Sequence, residues 1–299
     1  MTSIRGKFCR MLSKRLIGAS IDPRITIDEM RLGLEKATKF SFLPAKTKVD
    51  KIVYNNISAE WISSKNANEE NVVLYLHGGG YNLGSPLTHR EFAAHISNAS
   101  RAKVLLPDYR LAPENPFPAA LEDAIASYQY LLDNGYATNK IAIAGESAGG
   151  GLTLATCLSL RDQNKPLPSS LTCLSPWTDL EMTGNSIKTL ADIDPIVKFA
   201  SVKMQASNYI GTNDPKSPFI SPIHADFSDF PPILIHVGSD EMLLDDSKRV
   251  ADKARQAGVN VTLKIYDEMW HFFHVFYRLM PEAKAATKEV GMFIQKNCS

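Results

Sequence analysis

Gly145-Glu146-Ser147-Ala148-Gly149-Gly150 is the stretch on which the reading of this chain turns. The run before it, Lys140-Ile141-Ala142-Ile143-Ala144, has the character of a short buried strand, and residues 151–160 that of a helix. A glycine-flanked serine between strand and helix is the G-x-S-x-G pattern of a nucleophile held on a sharp turn. The glycines two positions either side leave room for a strained serine backbone. The hydroxyl then stands at the end of the strand, and the first N–H groups of the helix face any negative charge that develops beside it. Alone, the hexapeptide reads equally well as a small-residue turn. The other strand ends have to decide.

Outward from the serine, strands and helices alternate. Residues 71–76 form a buried-strand pattern that runs straight into His77-Gly78-Gly79-Gly80-Tyr81. Residues 103–107, 171–175, 231–238 and 260–266 read as further strands. Helical spacing covers residues 88–101, 119–134, about 246–257 and 282–295, with Gly258 as a helix C-cap. Residues 48–54 and 57–63 alternate polar and apolar side chains and look like an antiparallel pair. Residues 28–40 read as a helix whose last apolar position is Phe40. The rhythm predicts an α/β fold with a mostly parallel sheet and helices on both faces. One segment breaks it: between Trp177 and Pro231 there is no strand, and residues 189–210 carry apolar side chains at helical spacing. An insertion of that kind suggests a lid.

A serine nucleophile needs a base, a group that orients the base, and an oxyanion hole. In such a sheet these belong at the carboxyl ends of strands. Strand 233–237 ends in Gly238-Ser239-Asp240, which makes Asp240 the expected acid. Asp245 and Asp246 fall at a helix start, where carboxylates are usually caps, and Asp267 lies too close to the histidine loop. The last strand leads to Asp267-Glu268-Met269-Trp270-His271, which makes His271 the expected base. His274, three residues on, is its rival. His236 sits inside a strand and reads as core, while His89, His95 and His224 have no strand-end placement. The order Ser147, Asp240, His271 matches a serine–acid–histidine arrangement. His77-Gly78-Gly79-Gly80 would bring backbone N–H groups to an oxyanion without interference from Cβ atoms. Neither G-x-G-x-x-G nor a lysine-bearing phosphate loop is present, so nucleotide binding is not expected.

With 299 residues, 44% of them hydrophobic, the chain can bury a large core, as one α/β domain with insertions or as two domains. A net charge of +1 gives no footprint for nucleic acid. Cys9, Cys157, Cys173 and Cys298 are scattered without metal spacing, which suits reduced thiols and a cytoplasmic protein with no metal and no cofactor. No apolar run approaches the roughly 18 residues of a membrane span, so stable membrane insertion is not expected. The first twenty residues carry Arg5, Lys7, Arg10, Lys14 and Arg15 and no acid. Ile4, Phe8, Met11, Leu12 and Leu16 fall on one helical face. The expectation is a helix packed on the domain, with a transit peptide or a membrane-surface helix as the other readings.

These stretches together resemble the hormone-sensitive-lipase family of α/β-hydrolases, in its bacterial-type family IV carboxylesterase branch. The likeness is carried by His77-Gly78-Gly79-Gly80, Tyr109-Arg110-Leu111-Ala112-Pro113-Glu114, the Ser147 hexapeptide, Ser175-Pro176-Trp177-Thr178-Asp179-Leu180, Asp240 and Met269-Trp270-His271. This chain has Glu146 where the family often has aspartate, and Asp240-Glu241-Met242 where it usually has Asp-Pro-Leu. The resemblance implies an oxyanion hole from the N–H groups of Gly79, Gly80 and Ala148, with Gly78 as a turn residue and His77 bracing the loop. It implies Arg110 paired with Glu114, and Trp177 near the site. It implies cap segments at residues 1–45 and 183–215 around an α/β-hydrolase core of residues 46–182 and 216–299. The implied activity is a serine carboxylesterase acting on small-molecule, short-acyl esters through an acyl-enzyme. A lactone hydrolase with the same triad is the alternative. A non-catalytic ligand-binding receptor of the same fold is disfavoured, since serine, acid and histidine are all available. A homodimer is the assembly left open.

Overall fold

The computed structural model describes residues 2–38 and 41–298. Phe40 lies outside them, as does the side chain of Leu16. Two helices lead: α1 (Ile4–Ser20) and α2 (Ile27–Ala37). Thr26 starts α2 through a reciprocal cap, its hydroxyl accepting from the Glu29 N–H while the Glu29 carboxylate accepts from the Thr26 N–H. The strands are β1 (Lys48–Tyr54), β2 (Ile57–Ser63), β3 (Asn68–Leu76), β4 (Ala102–Pro107), β5 (Ile141–Glu146), β6 (Ser170–Leu174), β7 (Ile233–Gly238) and β8 (Val261–Tyr266). They form one eight-stranded sheet in the order β1-β2-β4-β3-β5-β6-β7-β8. β2 is antiparallel to β1 and β4; every other pair is parallel.

The connecting helices are α3 (Pro86–Ser100), α4 (Ala119–Asp133), α5 (Ala148–Asp162), α6 (Ser186–Thr189), α7 (Phe199–Ile210), α8 (Leu244–Gln256) and α9 (Pro281–Asn297). α3 and α9 pack together on one face of the sheet, and α4 packs with α5 on the other, which α8 also covers. β5 is buried at every position because it is covered from both sides. Gly258 follows α8 at φ 84°, the left-handed conformation that ends a helix. The carboxyl ends of β3, β5, β6, β7 and β8 therefore share one edge of the sheet.

Three expectations need correction. The helical spacing read over residues 189–210 is realised as a helix only in α7; α6 ends at Thr189, and residues 190–198, which include Pro195, are turn and coil. Arg110 does not pair with Glu114. It holds Asp123 and Glu122 on α4, while Glu114 is held by Arg31 of α2. And α1 packs on the domain with only part of its apolar stripe, Leu12 reaching the cavity wall while the stripe's other described residues stay in water. Gly6, Cys9 and Ser13 are buried, whereas Ile4, Phe8 and Met11 are exposed. Small side chains let the helix approach closely, with Cys9 seated among Ile196, Met269, Trp270 and Phe273.

Candidate active site

Ser147 follows the last residue of β5 and caps α5 with φ 54° and ψ −122°. The left-handed φ costs a non-glycine residue of order 1–3 kcal/mol and persists only where packing enforces it. Here the enforcement is visible. A Cβ on Gly145 would collide with the Gly149 carbonyl, and one on Gly149 with the Leu76 carbonyl, so strand, turn and helix close up only because both are glycine. The Ser147 N–H donates to the Leu174 carbonyl at 2.9 Å and its carbonyl accepts from the Trp177 N–H at 2.9 Å, which fixes the turn between β6 and the loop after it.

The loop after β3 comes up beside it. Gly79 and Gly80 have φ of 116° and 63°, conformations open to glycine. Among the described residues neither of their N–H groups finds a partner within the chain. Ala148 is the first residue of α5, where an N–H has no partner inside its own helix. The loop is held from below by Glu146, which is buried and accepts hydrogen bonds from the Gly78 N–H and the Tyr75 hydroxyl. His89 Nε2 of α3 is its third partner at 2.9 Å. Burial works against a charged His89, but Glu146 outweighs it and lifts the imidazole above its ordinary pKa. His77 is stacked between Tyr109 (4.2 Å) and His89 (5.1 Å), and burial lowers its pKa to about 3, so it stays neutral. The Tyr109 hydroxyl donates to the His77 carbonyl at 2.6 Å.

On the other side stands His271, on the loop after β8 and almost wholly buried. Its Nδ1 faces Glu241 Oε1 at 3.7 Å; both atoms are buried, and neither has a hydrogen-bond partner. Glu241 is fully buried, its Oε2 accepting from the Ser175 hydroxyl at 2.8 Å and from the Gly238 N–H at 3.0 Å. The same Ser175 hydroxyl accepts from the Phe272 N–H at 3.1 Å, so one side chain ties acid to histidine loop. Burial would lower the His271 pKa, but Glu241 and then Asp194 outweigh it and raise it above 6.5. The expected acid, Asp240, is turned away. Its Oδ2 takes Arg10 of α1 at 2.6 Å, and its Oδ1 accepts from the Ser239 hydroxyl. Successive residues of a tight turn point in different directions, and here the second of two adjacent carboxylates faces the imidazole. His274, the rival of His271, is held elsewhere. It is buried against His236, with ring nitrogens 3.2 Å apart, and burial drives its pKa well down.

Ser147, Gly78, Gly79, Gly80, Glu146, Trp177 and His271 all border one cavity of about 310 Å³. The rest of its wall is mainly apolar: Leu12, Ile17 and Ile21 from the first segment, Leu34 and Ala37 from α2, Ile196, Val197 and Val202 from the segment around α7. Asp194 joins that second segment to the acid turn, accepting from the N–H groups of Ile196, Val197 and Met242. Burial raises its pKa to about 6. Sequence reasoning passed over Glu241, Ser175, Asp194 and His89. For Glu241 the one local signal was a second carboxylate beside the expected one. Among the described residues no cluster of side chains suits a metal ion.

The profile of the family described as alpha/beta hydrolase fold matches residues 73–275. An acetyl-hydrolase of Streptomyces hygroscopicus is 39% identical over 246 residues, 82% of each chain. An esterase of Acinetobacter venetianus is 38% identical over 229 residues, 76% of this chain and 75% of its own. Among solved structures, an esterase from the bacterial hormone-sensitive lipase family superposes over the whole of both chains with a TM-score of 0.96 at 39% identity. The structure of EstE5 soaked with p-nitrophenyl butyrate covers 99% of both chains with a TM-score of 0.93 at 40% identity.

Proposed function

The chain belongs to the α/β-hydrolase fold family, in its hormone-sensitive-lipase branch, and is a carboxylic ester hydrolase; on that premise we propose that Ser147, His271 and Glu241 are its catalytic residues and short-acyl esters its substrates. The observation that carries the assignment is the strained Ser147 turn on the wall of the cavity that His271 and the Gly79–Gly80 loop also border. With Nδ1 turned to Glu241, the His271 Nε2 is free to take the Ser147 proton as Oγ attacks the ester carbonyl. Glu241 holds the ring and stabilises its charged form. The N–H groups of Gly79, Gly80 and Ala148 receive the oxyanion of both tetrahedral intermediates. His271 then protonates the leaving alkoxide, and a water activated by the same ring cleaves the acyl-enzyme.

Short acyl groups are favoured by the confined cavity, by the acetyl-hydrolase among the relatives and by the butyrate ester soaked into EstE5. Among the described residues no helix is long and apolar enough to cross a membrane. A cytoplasmic location belongs to the same proposal, since all four thiols are buried and unpaired. Ser147→Ala is expected to abolish turnover of p-nitrophenyl acetate and butyrate, and labelling by a fluorophosphonate, with the thermal unfolding midpoint kept. Persistent turnover in a folded Ser147→Ala protein would remove the serine from its role.

A further inference from the structure

Three large apolar side chains of α1 are left in water. Ile4, Phe8 and Met11 are 88%, 55% and 47% exposed. Their spacing of four and three residues puts them in one stripe, because the helix is held to the domain by Gly6, Cys9 and Ser13 on its other side. Exposed Lys7 and Lys14 flank the stripe on one side and Arg5 on the other, Arg15 continues its line one turn past Met11, and α1 contains no acidic residue. Acids reach the segment from elsewhere, and exposed Asp192 shares a surface pocket with Lys14. Glu268 and Glu282 accept from Thr2 and Ser3 at its N-terminus, and Asp240 takes Arg10 on another side.

We infer that this face is a docking surface for an anionic lipid–water interface. A helix lying flat, with an apolar stripe flanked and extended by cations, fits such a surface on both counts: apolar area enters the acyl boundary and cations meet lipid phosphates. The charge pattern argues against a second copy of the chain, since a two-fold contact through α1 would set cations against cations. The helix is also placed to matter. Leu12 and Ile17 of α1 line the cavity, so docking would bring one cavity wall to the interface.

The test is flotation of the purified full chain with vesicles of phosphatidylcholine alone or mixed with phosphatidylglycerol. Binding is expected to the mixed vesicles, weakened by high salt, and far less to the neutral ones. Phe8→Ser with Met11→Ser should weaken it about tenfold or more. Lys14→Gln with Arg15→Gln should weaken it about thirtyfold, at one lost lipid contact per cation. Both variants should keep wild-type unfolding midpoints and wild-type turnover of a soluble ester, since none of these residues borders the cavity. The inference is overturned by absent binding to mixed vesicles, by equal binding to neutral ones, or by binding that both double variants retain. It is also overturned if the protein binds no vesicle but forms a dimer that Phe8→Ser with Met11→Ser dissociates. Vesicle binding is read without turnover, so the outcome is independent of the Ser147 assignment.

Discussion

A carboxylate that orients a catalytic histidine has to be desolvated, fixed and free of any competing cation. Glu241 is fully buried, and one of its oxygens is fixed by Ser175 and Gly238 while the other faces His271. Asp240 is partly exposed and its charge is already paired with Arg10. Glu241→Gln should therefore lower kcat/KM for p-nitrophenyl butyrate by about 10³–10⁴, the scale set when an orienting carboxylate becomes an amide. Asp240→Asn should lower it less than about tenfold, since it touches neither imidazole nor substrate. Steady-state kinetics of the two variants decide between them, and the reverse ranking would restore the role to Asp240. Glu146 makes a parallel point. Its carboxylate joins β5 to the oxyanion loop through Gly78, which gives the residue before the nucleophile a structural task that either acidic side chain could perform in kind.

The elements around the site are held by ties between distant segments. Arg10 of α1 bonds Asp240 on the acid turn, the Glu268 carbonyl on the histidine loop and the Ile193 carbonyl on the segment between α6 and α7. Removing that junction loosens Glu241 and His271 relative to each other without deleting either. Arg10→Met should lower kcat about tenfold, within the range that small misplacements cost. Arg10→Lys should recover part of it, and adding Asp240→Asn to Arg10→Met should cost little more, because both break the same contact. Additive losses in that cycle would show the pair to be unconnected. The same ties explain what was legible in the sequence. Strands announce themselves as apolar runs where both faces are covered, as in β5, and as alternating runs where one face is open, as in β8, and their ends are where Ser147, His271 and the glycine loop are read. The choice between Asp240 and Glu241 is made by Arg10, 230 residues from the first, and by Ser175, 66 residues from the second. The face of α1 was hidden for a different reason. Periodicity defines an apolar stripe but does not say that a helix will pack through its glycine, cysteine and serine and leave most of that stripe in water.

At the scale of the molecule, the buried titratable groups pull stability in opposite directions as pH falls. His77 and His236, each lowered to about 3 by burial, and His274, lowered well below its ordinary value, remain neutral in the fold while the unfolded chain protonates near pH 6.5. They subtract stability below that pH. Asp194 and Asp246, raised by burial to about 6 and about 7, take up protons in the fold before the unfolded chain does, and add stability as pH falls toward 4. His271 and His89, both raised, contribute stability that is fully present below pH 6.5 and lost as pH rises through their folded values. Opposite signs make the stability slope shallow just below neutrality. Activity has no such cancellation, because a protonated His271 cannot accept the Ser147 proton. The acid limb of kcat/KM should therefore have its midpoint above pH 6.5, and the loss should reverse on neutralisation while circular dichroism reports an intact fold. Glu241→Gln should move that midpoint down, since Glu241 is the main group raising the His271 pKa against burial. A wild-type limb well below pH 6.5, or one that coincides with unfolding, would contradict both the protonation of His271 and the partner assigned to it.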